Sequence, residues 1–191
     1  MRKKLVIGVD IDDTITDTYY NLLPVVAIKY GLDLEKLYKK KYTYGKLHKV
    51  LPDYMDFCKE HSESIVKIVP LKDDVVKIFN KLKEDGHKII FITARDYNEY
   101  SNPYKLCYDY LNSNGVKYDR IIVGAKDKAK ECINENVDLF IDDNTKNCLM
   151  VSASGIPTLQ YHNEFTTCAK NVKRVYNWKE IYNYICNMSS F

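Results

Sequence analysis

A chain of 191 residues is long enough to bury one substantial core with a modest insertion, and too short for two large domains. Its 29 Lys and Arg stand against 26 Asp and Glu, and the resulting net charge of +3 is too small for a protein that wraps a nucleic acid polymer. The opening MRKKLVIGVDIDD joins a basic start to an apolar run that Asp10 breaks before it reaches the length of a signal peptide or a membrane span, so a soluble, cytoplasmic protein without membrane attachment is expected.

The first apolar run, residues 4–9, reads as a strand that ends at Asp10. Residues 17–70 do not continue a strand–helix alternation. They are rich in Tyr and Lys and hold no convincing strand, so they are expected to form a helical insertion. Residues 71–85 place Val75, Val76, Phe79 and Leu82 on one stripe before Gly86, which predicts a helix, and a strand at 88–93 follows. Ser101, Asn102 and Pro103 open a helix to Asn114 that Gly115 closes, and a short strand is expected at 120–123. Another helix is expected at 127–136, then a strand at 137–141 that runs into Asp142 and Asp143. A helix at 145–154, a strand at 156–161 and a closing helix within 175–188 complete the series. This is the pattern of an α/β, doubly wound, mainly parallel Rossmann-like sheet of about five strands, with a core of 1–16 and 71–191 and a small helical cap of 17–70 after the first strand.

Six cysteines are scattered without a CxxC pair, as expected for reduced thiols. In an open parallel sheet ligands gather at the carboxyl ends of the strands, and here three such ends carry Asp10 and Asp12, Thr93, and Asp142 and Asp143. Carboxylates converging at one edge repel one another unless a cation joins them. Oxygen ligands without nearby His or Cys favour a hard ion, and Mg²⁺ characteristically shares its shell between carboxylates, waters and a substrate phosphate.

Asp10-Ile11-Asp12-Asp13-Thr14 resembles the first motif of the haloacid dehalogenase-like phosphatases. Thr93, Lys128 and Asp142-Asp143 resemble the second, third and fourth motifs, in order and each after an expected strand. Val69-Pro70-Leu71, Asn102-Pro103-Tyr104, Lys126-Asp127-Lys128, Tyr161-His162-Asn163 and Asn177-Trp178-Lys179-Glu180-Ile181 are similar to the 5'(3')-deoxyribonucleotidase branch of that superfamily. The likeness covers most of 67–185 and is weak in the insertion.

The resemblance implies that Asp10 attacks phosphorus and carries an aspartyl-phosphate, and that Asp12 protonates the departing oxygen and then activates water. It implies Mg²⁺ held by Asp10, the main-chain carbonyl of Asp12 and Asp142, with Asp143 acting from behind or through water. Thr93 would bond a phosphoryl oxygen, beside Ala94. Arg95 reads equally as a clamp on phosphate or sugar and as a solvated surface charge. Lys126, Lys128 and Lys130 all lie near the start of one expected helix where an anion is favoured, and the resemblance of the basic-Asp-Lys triplet selects Lys128 as catalytic and phosphate-binding.

In the insertion, Tyr19, Tyr20, Tyr30, Tyr38, Tyr42, Tyr44, Tyr54 and Phe57 are candidates to stack on a base, although a small cap also needs such rings for its own core. Lys36, Lys39, Lys40, Lys41, Lys46 and Lys49 form a basic stretch that either attracts an anionic ester or is an ordinary solvated face. The four histidines show no metal-ligand spacing and read as structural or exposed, with His162 the exception that its family-like neighbours favour. The resulting expectation is a phosphatase for a small-molecule ester, foremost a nucleoside 5'- or 3'-monophosphate. A sugar phosphate and a non-catalytic nucleotide-binding role are the rivals, and a homodimer stays among the expected assemblies.

Overall fold

The computed structural model describes residues 3–39 and 44–190. Six parallel strands form one sheet in the order β3-β2-β1-β4-β5-β6. They are β1 (Val6–Val9), β2 (Lys88–Ile92), β3 (Arg120–Ile122), β4 (Leu139–Asp142), β5 (Thr158–Tyr161) and β6 (Lys173–Val175). The chain winds outward from β1 in one direction through β2 and β3, then returns to the centre and winds the other way. The switch point therefore falls between β1 and β4, where a crevice opens at the carboxyl ends.

The central strands are mostly apolar and buried because helices cover both faces. Gly8 is required by this packing: a Cβ there would stand 3.1 Å from the Phe140 ring and 3.2 Å from Ile92. The sixth strand departs from the expected five. Only three residues long, with Lys173 and Arg174 among them, it is an edge strand whose apolar signal is confined to Val175.

The helices are α1 (Thr18–Tyr30), α2 (Leu34–Lys39), α3 (Tyr44–Val50), α4 (Tyr54–Val66), α5 (Val75–Glu84), α6 (Pro103–Ser113), α7 (Lys128–Asn134), α8 (Thr145–Ala153) and α9 (Trp178–Met188). Among the described residues, none of them is long and apolar enough to cross a membrane. Helices α1 to α4 fill the insertion after β1, and α1 packs on α2 and α4. Pro24 sits inside α1 and has no N–H to give to the Tyr20 carbonyl one turn back. The hydroxyl of Tyr38 on α2 donates to that carbonyl at 3.0 Å instead, while its ring stacks on Tyr20 at 4.7 Å. A helix-breaking residue is thus compensated by a cross-helix bond.

The insertion enters and leaves through two neighbouring linkers. Thr16 and Leu71 form an antiparallel bridge, Lys72 N donates to Ile15 O at 2.8 Å, and Lys72 pairs with Asp17. This pairing is why α5 starts only at Val75, later than the periodicity predicts: Leu71 and Lys72 are extended, and Asp74 turns with φ 63° before the helix begins. Behind the sheet, Trp178 is fully buried against Phe79 at 4.8 Å, and its Nε1 donates to Thr14 O at 3.3 Å. All six cysteines are free.

Candidate active site

The carboxyl ends of β1, β2 and β4 deliver the expected groups to one place. Asp10 N donates to Ile141 O at 3.0 Å, extending the β1–β4 pairing and setting Asp10 beside Asp142 and Asp143. Ligand oxygens of these three buried aspartates lie within 4.8 Å of one another. Next along the chain, Asp13 adopts φ 58°, a left-handed turn that Asp tolerates better than most residues. This turn aims its Oδ1 at the Tyr19 amide, which donates at 2.9 Å.

Lys128 is the lysine of the three brought into the cluster. Its Nζ lies 2.6 Å from Asp10 Oδ1 and 2.7 Å from Asp142 Oδ2, and its side chain is 2% exposed. Asp127 caps α7 by accepting from Lys130 N at 3.0 Å, which places Lys128 at the first helical position facing inward. Lys126 is exposed and pairs with Asp96, and Lys130 is exposed as well.

The electrostatics follow from these contacts. Burial, then the charges of Asp142 and Asp12, push the Asp10 carboxyl up to about 7 against the opposing pull of Lys128. Burial likewise raises Asp13 to about 7 and lifts Asp143 well above the usual carboxylate range, with Asp13, Asp142 and Asp10 adding to the shift. Burial alone would lower Lys128, but Asp10 and Asp142 outweigh it and hold the ammonium above its ordinary value. Three carboxyl groups that resist ionisation around a single ammonium are a site short of positive charge. The donors are all oxygens, so the set fits a hard divalent cation.

The two aspartates of the fourth motif differ in surroundings. Asp142 is fully buried and already serves Lys128, Asn147 Nδ2 at 3.0 Å and Asn144 N at 2.7 Å. Asp143 lines the cleft, accepts from Asn163 Nδ2 at 2.9 Å, and is anchored by its own amide donating to Thr14 Oγ1 at 3.0 Å. Thr93 and Ala94 also line the cleft, which has a volume of about 640 Å³. Thr93 is held between β2 and β3, its N donating to Ile122 O and its carbonyl accepting from Ala125 N.

Arg95 departs from one of its two expected settings. It is buried, so it is not a solvated surface charge, and its Nε and Nη2 donate to Asp12 Oδ2 and Oδ1 at 2.8 and 2.7 Å. Burial would raise Asp12, but the Arg95 charge and hydrogen bonds outweigh it and hold the carboxyl below its ordinary range. The sequence reading missed this partner because spacing places Arg95 two residues past Thr93 without saying which way it turns.

Asn147 and Phe165 also line the cleft, without a sequence signal of their own. Asn163 lies beside His162, the histidine that sequence neighbours favoured. It is Asn163 that borders the cleft, while the His162 ring rests 5.0 Å from Tyr176. His87 is buried in the core and accepts from Leu5 N at 3.1 Å. Of the described aromatics of the insertion, Tyr19 lines the cleft and meets Phe165 edge-on at 4.8 Å. Tyr20 and Tyr38 stack on each other, and Tyr54 and Phe57 are buried in the main hydrophobic core. In the basic stretch, Lys36 and Lys39 pair with Asp33 and Glu35 on the surface. Lys40, Lys41 and Tyr42, and the side chain of Tyr44, lie outside the described residues.

Comparison with known proteins places this geometry in a family. The model of the 5' nucleotidase, deoxy (pyrimidine), cytosolic type C protein family matches residues 4–190. A nucleotidase of Clostridium acetobutylicum is 31% identical over 187 residues, covering 96% of this chain and 94% of its own length. The YqfW protein of Bacillus subtilis is 28% identical over 188 residues, covering 95% of this chain and 93% of its own. Among solved structures, a haloacid dehalogenase-like hydrolase of Streptococcus pneumoniae matches with a TM-score of 0.62 at 13% identity, over 95% of this chain and 98% of that one. A hydrolase of the same superfamily from Ehrlichia chaffeensis matches with a TM-score of 0.59 at 15% identity, over 98% of both chains. These two likenesses speak for the fold. With an acidic strand edge, a buried lysine joining Asp10 to Asp142, and a family match that runs nearly from end to end, the chain belongs to the 5' nucleotidase, deoxy, cytosolic type C family of phosphoric monoester hydrolases.

Proposed function

We propose that this protein is a Mg²⁺-dependent cytoplasmic nucleotidase that hydrolyses nucleoside monophosphates, deoxyribonucleotides foremost, through an aspartyl-phosphate on Asp10. The observation that carries the proposal is the Lys128 ammonium between Asp10 and Asp142 at the floor of a cleft bordered by Thr93 and Ala94. A phosphoryl group seated there meets a nucleophile, a fixed positive charge and hydrogen-bond donors from one direction. The helical insertion 17–70 acts as a cap, and its Tyr19 lines the cleft, where it meets Phe165 of the core edge-on.

The cation would be held by Asp10, the main-chain carbonyl of Asp12 and the Asp142–Asp143 pair. The sequence assigns the direct bond to Asp142; because three donors engage its oxygens while Asp143 borders the cleft, Asp143 would be the direct ligand of the pair and Asp142 would act from behind it. When bound, Mg²⁺ neutralises the acidic edge and the phosphoryl charge.

Asp10 attacks phosphorus in line as the bond to the leaving oxygen breaks, and that oxygen takes a proton from Asp12. Water then gives a proton to Asp12 and its oxygen to phosphorus, and Asp10 is released. Lys128 holds the nucleophile and stabilises the charge that spreads over the phosphoryl oxygens.

A panel of deoxynucleotides, ribonucleotides and sugar phosphates assayed with Mg²⁺ tests the reading. Nucleotides should turn over best, and Asp10→Asn should abolish phosphate release while the protein keeps its thermal midpoint. A clear preference for sugar phosphates, or an active Asp10→Asn variant, would overturn it.

A further inference from the structure

Asp12 has both oxygens occupied from behind. Arg95 closes on it as a fork, with Nε 2.8 Å from Oδ2 and Nη2 2.7 Å from Oδ1, and Thr18 Oγ1 donates to Oδ1 at 2.7 Å. Asp12 borders the cleft and Arg95 does not, so the guanidinium backs the carboxylate on the side away from a substrate. A fork of charge-assisted bonds holds a carboxylate in one orientation. To hand a proton to a departing oxygen, Asp12 must turn an O–H toward the cleft, and that oxygen then gives up a bond from Arg95 or Thr18.

The donors that grip Asp12 are themselves tied to the insertion. Thr18 is the first residue of α1. The Arg95 guanidinium carbon lies 5.9 Å from the centre of the Tyr100 ring, and Tyr100 packs with Val66 of α4 and Leu106 of α6. One residue on, Ser101 donates from N and Oγ to Glu63 Oε2 of α4, at 3.2 and 2.7 Å. Beside this clasp a cavity of about 380 Å³, lined by Glu63, Lys67, Ser101 and Lys105 among others, lies between α4 and α6.

We propose that Arg95 is a positioning residue that keeps Asp12 in a resting orientation, and that movement of the insertion onto a bound ester, transmitted through Glu63 and Ser101, frees Asp12 to reach the leaving oxygen. The inference rests on the phosphatase reading above. Arg95 stands behind Asp12 and outside the lining of the cleft. It makes acid catalysis depend on an ester large enough to engage the insertion, so a small ester finds its acid withheld.

The test compares the whole protein with Arg95→Met, Arg95→Lys and Glu63→Gln, each with Mg²⁺, on three esters. These are a deoxynucleoside monophosphate, methyl phosphate, and p-nitrophenyl phosphate, whose leaving group departs without a proton. For Arg95→Met the kcat ratio of methyl phosphate to nucleotide should rise at least about fivefold, while p-nitrophenyl phosphate stays within about twofold of the parent. Arg95→Lys keeps the charge without the fork and should behave like Arg95→Met. Glu63→Gln lies outside the site and should shift the ratio in the same direction by less. Circular dichroism and the thermal midpoint establish that each variant folds. Equal losses on all three esters, an unchanged ratio, or parental selectivity in Arg95→Lys would overturn the role of Arg95. A parent protein that turns over none of the esters with Mg²⁺ would overturn the reading of the site itself.

Discussion

Lys128 shows how one side chain can serve both stability and chemistry. Its ammonium is enclosed and faces two buried carboxylates. Removing one partner of a buried ionic group leaves the others uncompensated, at a cost of about 3–5 kcal/mol. Lys128→Met should therefore lose that much stability in metal-free urea unfolding as well as its turnover, and Asp142→Asn in the same chain should restore part of the stability. A variant as stable as the parent would show that the bridge is not formed in solution. The sequence shows that Asp10, Asp12, Thr93, Lys128, Asp142 and Asp143 sit at strand ends or a helix start, because those positions follow from hydrophobic period and stop signals. It does not show side-chain direction. Arg95 and Asn163 are polar residues in loops, and only the folded backbone decides that one turns in to Asp12 and the other to Asp143.

Elements were readable where an apolar period ran for two turns or more, as in α5 and α6, and the start of α6 was readable because Asn102 and Pro103 stood first. Asn102, Asn144 and Asn177 each accept from backbone amides in the first turn of their helices. Asn177→Ala should cost about 1 kcal/mol in chemical unfolding and leave turnover unchanged, since its side chain serves the first turn of α9 and nothing in the cleft. A loss below a few tenths of that value would show that the cap carries no weight. Where reading failed, tertiary pairing had overridden local pattern. Residues 71–74 carry a helical signal but are drawn into the bridge with Thr16, and Lys173–Val175 is a strand by virtue of its neighbour β5 rather than its own apolarity.

For the whole molecule, the acidic edge sets how stability depends on pH. Burial pushes the Asp10 and Asp13 carboxyls up from the usual carboxylate range near 3.8 to about 7, and Asp143 shifts the same way. Between those limits the folded state binds more protons than the unfolded one, so stability falls as pH rises through this window. Asp12, shifted downward, acts in the opposite sense, but its contribution is lost only below the window. The thermal midpoint in a chelator should drop between about pH 5 and about pH 8, and the gain on adding Mg²⁺ should grow over the same interval, because the ion binds the ionised carboxylates. A midpoint that climbs with pH in the chelator would contradict the repulsion. The bridge between Thr16 and Leu71 has a consequence at this scale as well. Because the two ends of the excursion from 17 to 70 meet at a single rung, that rung fixes where the chain rejoins the sheet whatever length lies between. An excursion of different length could be spliced across it only if it returned a donor to Asp12, the bond that Thr18 makes here.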